Sequence, residues 1–505
     1  MISHAPDELT HHAEQLKEAG LKKLYAAPKS ADFIAQAAGL RLDFSQNFVN
    51  QTTLDLFQQY YANVDFDAQR NKLISGDIIN PTENRPALHT ALRGALFDAS
   101  VIHSEEIITE FARCCEWADA LHDGPITDVV NLGIGGSDLG PRMAATALAD
   151  FSQKGIHCHY VSNVDHDALA DVLAQLNPAT TLFIIASKSF TTEETLCNAE
   201  RAKQWLKTTL GGNYNQHLCA VTSQPQKAHN WGVEEGSIFA FWDWVGGRYS
   251  MWSAIGLPLI VEFGAAAFRE FLRGAYDLDE HFKSAPLEHN MPQILGMLDV
   301  WYANYFNGHA LAVIPYSHRL RLLPAYLQQL NMESNGKQVD LDGKTADYQT
   351  GSIVWGTAGT DGQHSYHQLL HQGTHCIPVD FILPLNTDKA RDADLRMTSH
   401  CLAQKQTLLE GASLEEDALS SHKNLPGNRS ANLLTMDKLD PYSLGALIAL
   451  YEHRTFCAAT LLRINPFDQW GVERGKINSA TIKQQLEAAM NNGTSMADAV
   501  KQIRF

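Results

Sequence analysis

Residues 331–337, Asn-Met-Glu-Ser-Asn-Gly-Lys, set a carboxylate, Glu333, where a buried helical face ends. Leu323, Tyr326, Leu327 and Leu330 recur at i, i+3, i+4 and i+7, the spacing of one apolar helix stripe. Glu333 falls where the next apolar residue belongs, and a partly desolvated carboxylate there suits general-base work. Taken alone, an exposed last-turn glutamate is the commoner outcome. Pro324 suits a first helical turn, and Gly336 suits a left-handed residue that stops the helix. Arg248 is the second candidate. It stands in residues 243–256 (DWVGGRYSMWSAIG), between glycines and aromatic side chains. A permanently charged fork in such a setting suits an oxyanion developing in a low-dielectric pocket. The plainer alternative is a guanidinium stacked on Trp242 or Trp244.

Two further stretches suit an anion. Residues 133–140 (GIGGSDLG) follow an apolar run and precede a helix expected to begin near Gly140. Glycines there permit a tight turn and bring backbone N–H groups to an anion at a helix start. Asp138 replaces the third glycine of a dinucleotide fingerprint, and no Gly-Lys-Ser/Thr makes a Walker loop. Residues 187–195 (SKSFTTEET) crowd five hydroxyls and Lys188 at the carboxyl end of the run TLFIIA, where parallel α/β proteins place ligands. One hydroxyl is expected to cap the following helix, and the rest exceed what capping requires. His364, His367 and His371 stand at i, i+3 and i+7. No carboxylate or cysteine completes a ligand set, so no metal is expected, and a packed helical face is the ordinary reading. His11, His12, His157 and His159 are read as surface and strand residues.

The elements that carry these residues change character along the chain. Up to residue 117 the chain reads as helices and loops without a convincing strand. From residue 128 short apolar runs alternate with helical stretches: DVVNLGI, HCHYVS, TLFIIAS and HLCAVT, then HALAVIPYS, SIVWGT and THCIPVDFIL. That rhythm predicts βαβ units and two successive parallel sheets. The expected organisation is a helical region over 1–117 packing on the second domain, α/β domains over 118–285 and 286–479, and a helical tail over 480–505. Residues 441–464 predict a long buried helix, and Gly493 separates two amphipathic helices in the tail.

Composition narrows the partners. Lys and Arg total 39 against 57 Asp and Glu, a net charge of −18, which disfavours nucleic acid and anionic membranes. An anionic ligand must therefore be met by locally placed donors. Eight cysteines form no C-x-x-C pair, so reduced thiols and a cytoplasmic setting are expected. The start, MISHAPDELT, has no apolar h-region, and apolar runs such as residues 444–450 are too short to span a membrane.

Residues 325–337 (AYLQQLNMESNGK) and 243–256 resemble the two signature segments of the phosphoglucose isomerase family. Similar segments run from SGDIINPTENRPALHTALR, beginning at Ser75, to FDQWGVERGK, ending at Lys476. The resemblance implies two SIS-type α/β/α sandwich domains with parallel sheets, plus the N-terminal helical region and the C-terminal helical tail. It also implies interconversion of glucose 6-phosphate and fructose 6-phosphate through ring opening and a cis-enediol, a step of glycolysis and gluconeogenesis. Its catalytic set falls on Glu333, His364, Lys476 and Arg248. Its substrate contacts fall on Gly136, Ser137, Ser187, Lys188, Ser189, Thr192, Gly247, Gln329 and Gln469. No cofactor is implied, and the assembly implied is a homodimer whose active site is shared, with His364 reaching the neighbouring chain's site. The histidine stripe on an apolar helix suits such an intersubunit surface. The chain departs from the family pattern in a shorter stretch between Arg93 and Asp128, in His166 for glycine, and in Ser189 for the usual threonine.

Two other readings stay open on the residues alone. A non-catalytic sugar-phosphate sensor on the same sheets needs the anion loops but has no use for Glu333, His364 and Lys476 together. A dual glucose/mannose 6-phosphate isomerase differs only in pocket shape. An amidotransferase's sugar half would need a glutamine-hydrolysing domain with an N-terminal cysteine, and this chain starts Met-Ile-Ser.

Overall fold

Residues 34–46 form β1 (Ile34–Ala37) and β2 (Leu40–Gln46), where sequence reading expected only helices and loops. In β2 Leu40, Leu42 and Phe44 are buried and alternate with the half-exposed Arg41, Asp43 and Ser45, the period-two pattern of a strand. The computed structural model describes the chain apart from residues 1, 3, 28–32, 387–391, 414–418, 504 and 505.

The first sheet comprises β3 (Asp128–Leu132), β4 (His157–Val161), β5 (Thr181–Ala186), β6 (Leu218–Thr222) and β7 (Ile238–Ala240). All its pairings are parallel, in the order β4-β3-β5-β6-β7. The second contains β8 (Ala310–Pro315), β9 (Ile353–Trp355), β10 (Val379–Pro384) and β11 (Ala431–Met436), ordered β1-β2-β11-β10-β8-β9. Its β11-β10-β8-β9 part is parallel, and β2 joins β11 antiparallel. Every residue of β5, β6, β10 and β11 is buried, as expected of sheets covered on both faces. β7 and β11 are strands that the sequence reading did not identify.

Strand order decides where a ligand fits. From β3 the chain moves outward to β4 and then crosses to β5 on the other side. The carboxyl ends of β3 and β5 therefore flank a topological switch point, the crevice that open α/β sheets use for binding. The glycine loop follows β3 and the hydroxyl loop follows β5. Two helices, Leu257–Ser284 and Pro441–Leu461, cross at glycine contacts. A Cβ on Gly274 would lie 1.8 Å from the Tyr442 carbonyl oxygen, and one on Gly445 1.9 Å from that of Phe271. Between them, buried Arg93 donates from Nε and Nη2 to Asp279 at 2.8 and 2.7 Å and from Nη1 to Glu452. Burial pushes the Glu452 carboxyl up to about 7 against the pull of Arg93. Trp252 Nε1 donates to the same carboxylate at 2.9 Å, anchoring the turn that begins at Gly247.

By contacts the chain divides into Met1–Pro466, which holds both sheets, and Phe467–Phe505. This differs from the four-part division read from the sequence, in which each sheet had its own body and the tail began at Ala480. The second unit carries helices Glu473–Asn491 and Met496–Gln502, with Gly493 left-handed between them. Among the described residues no helix is long and apolar enough to cross a membrane. All eight cysteines are free. His12, expected on the surface, is buried, with Nε2 2.8 Å from Thr53 Oγ1.

Candidate active site

The glycine loop works by close approach. Gly135 is left-handed (φ 57°), and a Cβ there would meet Gln329 Nε2 at 3.1 Å. A Cβ on Gly136 would lie 2.0 Å from the Gly247 carbonyl oxygen. Only a residue without a side chain lets the two glycine turns touch backbone to backbone. Asn131 Nδ2 donates to the Ser137 carbonyl at 3.0 Å, tying the loop to the end of β3. Helix Leu139–Ala147 begins directly after buried Asp138, which Arg142 holds at 2.7 Å. Burial raises the Asp138 pKa although Arg142 opposes the shift. Gly247 itself faces open space, since a Cβ there meets nothing within 4 Å.

The hydroxyl loop turns at Phe190, a left-handed non-glycine residue (φ 48°) whose ring is buried in the core of the first sheet. Such a conformation persists only when its surroundings enforce it. Ser187 Oγ lies 3.0 Å from Thr192 Oγ1, and Ser189 Oγ 2.7 Å from Thr191 Oγ1. Thr192 occupies the N-cap position of helix Glu193–Leu210 but makes no side-chain capping bond, contrary to the expected cap. Lys188 Nζ donates to the carbonyls of Asp243 and Val245, both at 2.8 Å, so it holds the strand-end loop to the turn leading to Arg248. Arg85 Nη1 donates to the same Asp243 carbonyl at 2.9 Å. Burial, with the nearby Arg85 charge, lowers the Lys188 pKa to about 8.

Glu333 and Arg248 are brought together. The helix Leu323–Leu327 continues as a π-helical turn, Gln328–Glu333, a wider winding common at functional sites. Leu323, Tyr326, Leu327 and Leu330 are buried as the stripe predicts. The Glu333 side chain is 22% exposed and accepts from Gln329 Nε2 at 3.0 Å, with Arg248 Nη1 3.5 Å from Oε2. Gly336 is not left-handed; its lack of a side chain lets it lie close to the Met332 carbonyl, 2.4 Å from where a Cβ would be. Arg248 is buried, its Cζ 5.5 Å from the centroid of the Tyr249 ring. Trp242 and Trp244 stack on each other, ring centroids 4.9 Å apart. Nε of Arg248 donates to Ser334 Oγ at 2.6 Å and Nη2 to the Pro466 carbonyl at 2.5 Å. Ser334 and Tyr249 sit inside the two signature segments, yet sequence reading gave neither a role.

The three histidines do not share one helix. Helix Gly359–Gln363 ends before His364, and a new helix, His367–Gln372, begins after a break. His367 Nδ1 and His371 Nε2 lie 3.0 and 2.8 Å from Gln404 Oε1, so both pack within the chain rather than on a shared outer stripe. His364 is exposed, and among the described residues its ring makes no hydrogen bond or ion pair. Lys476 lies in the first turn of helix Glu473–Asn491, and its Nζ donates to Glu473 at 2.7 Å. Gln469 precedes it at the N-cap of a short 3₁₀ turn in the same unit.

Two covered, largely parallel sheets, with the glycine and hydroxyl loops at the switch point of the first, define an α/β class of protein. Residues 43–500 match the family model described as phosphoglucose isomerase. The glucose-6-phosphate isomerase of Hahella chejuensis is 46% identical over 480 residues, covering 89% of this chain and 86% of the relative. That of Shewanella halifaxensis is 44% identical over 491 residues, covering 91% and 90%. The crystal structure of a glucose-6-phosphate isomerase from Chlamydia trachomatis superposes with a TM-score of 0.87 at 30% identity, covering 95% of each chain. The chain belongs to the phosphoglucose isomerase family.

Proposed function

We propose that this protein is an aldose–ketose isomerase that interconverts glucose 6-phosphate and fructose 6-phosphate. The observation that carries the reading is the Arg248–Glu333 pair, a carboxylate 3.5 Å from a buried guanidinium, in a chain of this family. The phosphate sits at the switch point between β3 and β5, held by Ser137, Ser187, Ser189 and Thr192 with the Gly136 backbone. Gln329 and the open face of Gly247 adjoin the sugar, and Gln469 is a substrate contact by the family resemblance alone. Lys188 supports this pocket through the Asp243 and Val245 carbonyls.

The chemistry divides into two proton movements. Ring opening moves a proton to the ring oxygen and takes one from the anomeric hydroxyl, the work of His364 and Lys476. Glu333 then removes the C2 proton, electrons shift toward the C1 oxygen, and a cis-enediol forms. Arg248 offsets the negative charge growing on the oxygens, and Glu333 returns the proton to C1. C2 is oxidised from alcohol to ketone while C1 is reduced from aldehyde to alcohol, and the proton gained by the C1 oxygen is matched by the one lost from the C2 hydroxyl, so this internal exchange balances without a redox cofactor. The working unit is a cytoplasmic homodimer in which His364 of the partner subunit completes each site. Its exposed ring supports that reading.

The direct test supplies fructose 6-phosphate to the purified protein and identifies the aldose. Glucose 6-phosphate alone is expected. Mannose 6-phosphate beside it would make the enzyme a dual isomerase, and no aldose would favour a sensor. Ser189→Ala and Thr192→Ala are expected to raise KM about tenfold each, the loss of one charge-assisted hydrogen bond, with kcat little changed. Equal affinity of both variants for inorganic phosphate and wild type would displace the pocket. Subunit mixing tests the shared site. His364→Ala and Glu333→Gln homodimers are each expected to be nearly inactive, whereas random re-association should restore roughly a quarter of wild-type activity, one intact site in each mixed dimer. Background activity with mixed dimers confirmed by native mass spectrometry would place His364 in its own subunit's site.

A further inference from the structure

We infer that Ser334 is a positioning residue that aims the Arg248 guanidinium, with Tyr249 braced against both. The inference rests on the reading of Arg248 as the partner of the enediol oxygens. Ser334 is fully buried and follows Glu333 directly in the chain. Its Oγ accepts from Arg248 Nε at 2.6 Å and lies 2.9 Å from the Tyr249 hydroxyl. A serine hydroxyl has one proton and two lone pairs, so these contacts engage most of what it offers. The Tyr249 ring is fixed in turn, stacked on His89 with centroids 4.6 Å apart.

The arrangement constrains direction. Nε is directed to Ser334 and Nη2 to the Pro466 carbonyl, which turns Nη1 toward Glu333. A planar fork held at two nitrogens cannot rotate about its long axis without breaking one of those bonds. Because Ser334 adjoins Glu333, one hydroxyl also registers the cation against the backbone of the proposed base. Neither hydroxyl needs to touch the sugar. The geometry points to a relay of orientation in which Ser334 steadies Arg248 and Tyr249 steadies both.

Misplacing a reacting group by about an ångström lowers rates by up to about a hundredfold. Ser334→Ala is therefore expected to lower kcat by roughly 10–100-fold with KM within about twofold. Tyr249→Phe should lose less, since Ser334 still holds Arg248 Nε in that variant. The decisive arm repeats Ser334→Ala and Tyr249→Phe in an Arg248→Lys background, with circular dichroism and thermal melting on every variant. Neither change should lower kcat further there. The same fold-loss in both backgrounds would overturn the positioning role, and so would a loss carried in KM alone. Should Ser334→Ala fail to fold, the Tyr249→Phe pair of measurements decides by the same comparison. Wild-type turnover in Arg248→Lys itself would be a different failure, that of Arg248 as the oxyanion partner, and would remove the relay with it.

Discussion

Glu333→Gln is expected to bind sugar phosphate with near-wild-type affinity and to lose turnover by ~10²–10⁴, the usual worth of a general base. The amide keeps the size of the side chain and keeps an oxygen able to accept from Gln329, which donates to Oε2 at 3.0 Å. Buried Arg248 then faces a neutral group in place of a carboxylate at 3.5 Å. What the amide cannot do is take a proton from carbon. Exchange of solvent deuterium into C2 should therefore fall in step with turnover. Wild-type exchange in this variant would remove Glu333 from the role of base and leave it as a partner of Arg248.

Arg248→Lys should lower kcat by ~10²–10³, comparable to deleting one oxyanion donor, with little change in KM. The guanidinium is directed at once to Ser334, the Pro466 carbonyl and Glu333. An ammonium is a point charge on a flexible stem and cannot satisfy the three from one place. The loss is thus one of aim more than of charge. A variant that keeps kcat and loses only affinity would make Arg248 a phosphate ligand. Wild-type kcat with wild-type KM would leave it a packing residue.

The legible parts of this chain were those whose cause is local. β3 and β5 read as strands because DVVNL and TLFIIA are short, β-branched and apolar between turns, and both are almost wholly buried. The stripe from Leu323 to Leu330 read as a helix for the same kind of reason. β2 was missed although its apolar residues alternate, because its pairing comes from β11, with Gln46 opposite Ala431. The π-helical turn left no trace in composition, since a wider winding changes register without changing residue types. Lys188 among hydroxyls read as an anion ligand, and local pattern could not show that it also meets the carbonyls of Asp243 and Val245 in a distant loop. The histidine stripe failed at Ser365 and Tyr366, where the backbone leaves the helix and separates His364 from its two neighbours. Local pattern therefore located the sheets and the signature segments, while long-range contacts decided what several side chains hold.

The pairing of β2 with β11 also has a meaning for biosynthesis. β1 and β2 leave the ribosome well before the strand that receives them, residues 431–436. Until that strand is made, the β1–β2 pair exposes an unsatisfied edge, with Leu40, Leu42 and Phe44 lacking the partner strand that helps cover them. The first sheet draws all five strands from residues 128–240 and can close on the nascent chain long before that. Synthesis and folding are consequently out of step in one half of the molecule, the half that carries Glu333, and transiently exposed edges of this kind invite misassembly. Chains halted before residue 431 should therefore engage chaperones through their N-terminal strands while their first sheet is already protected from protease.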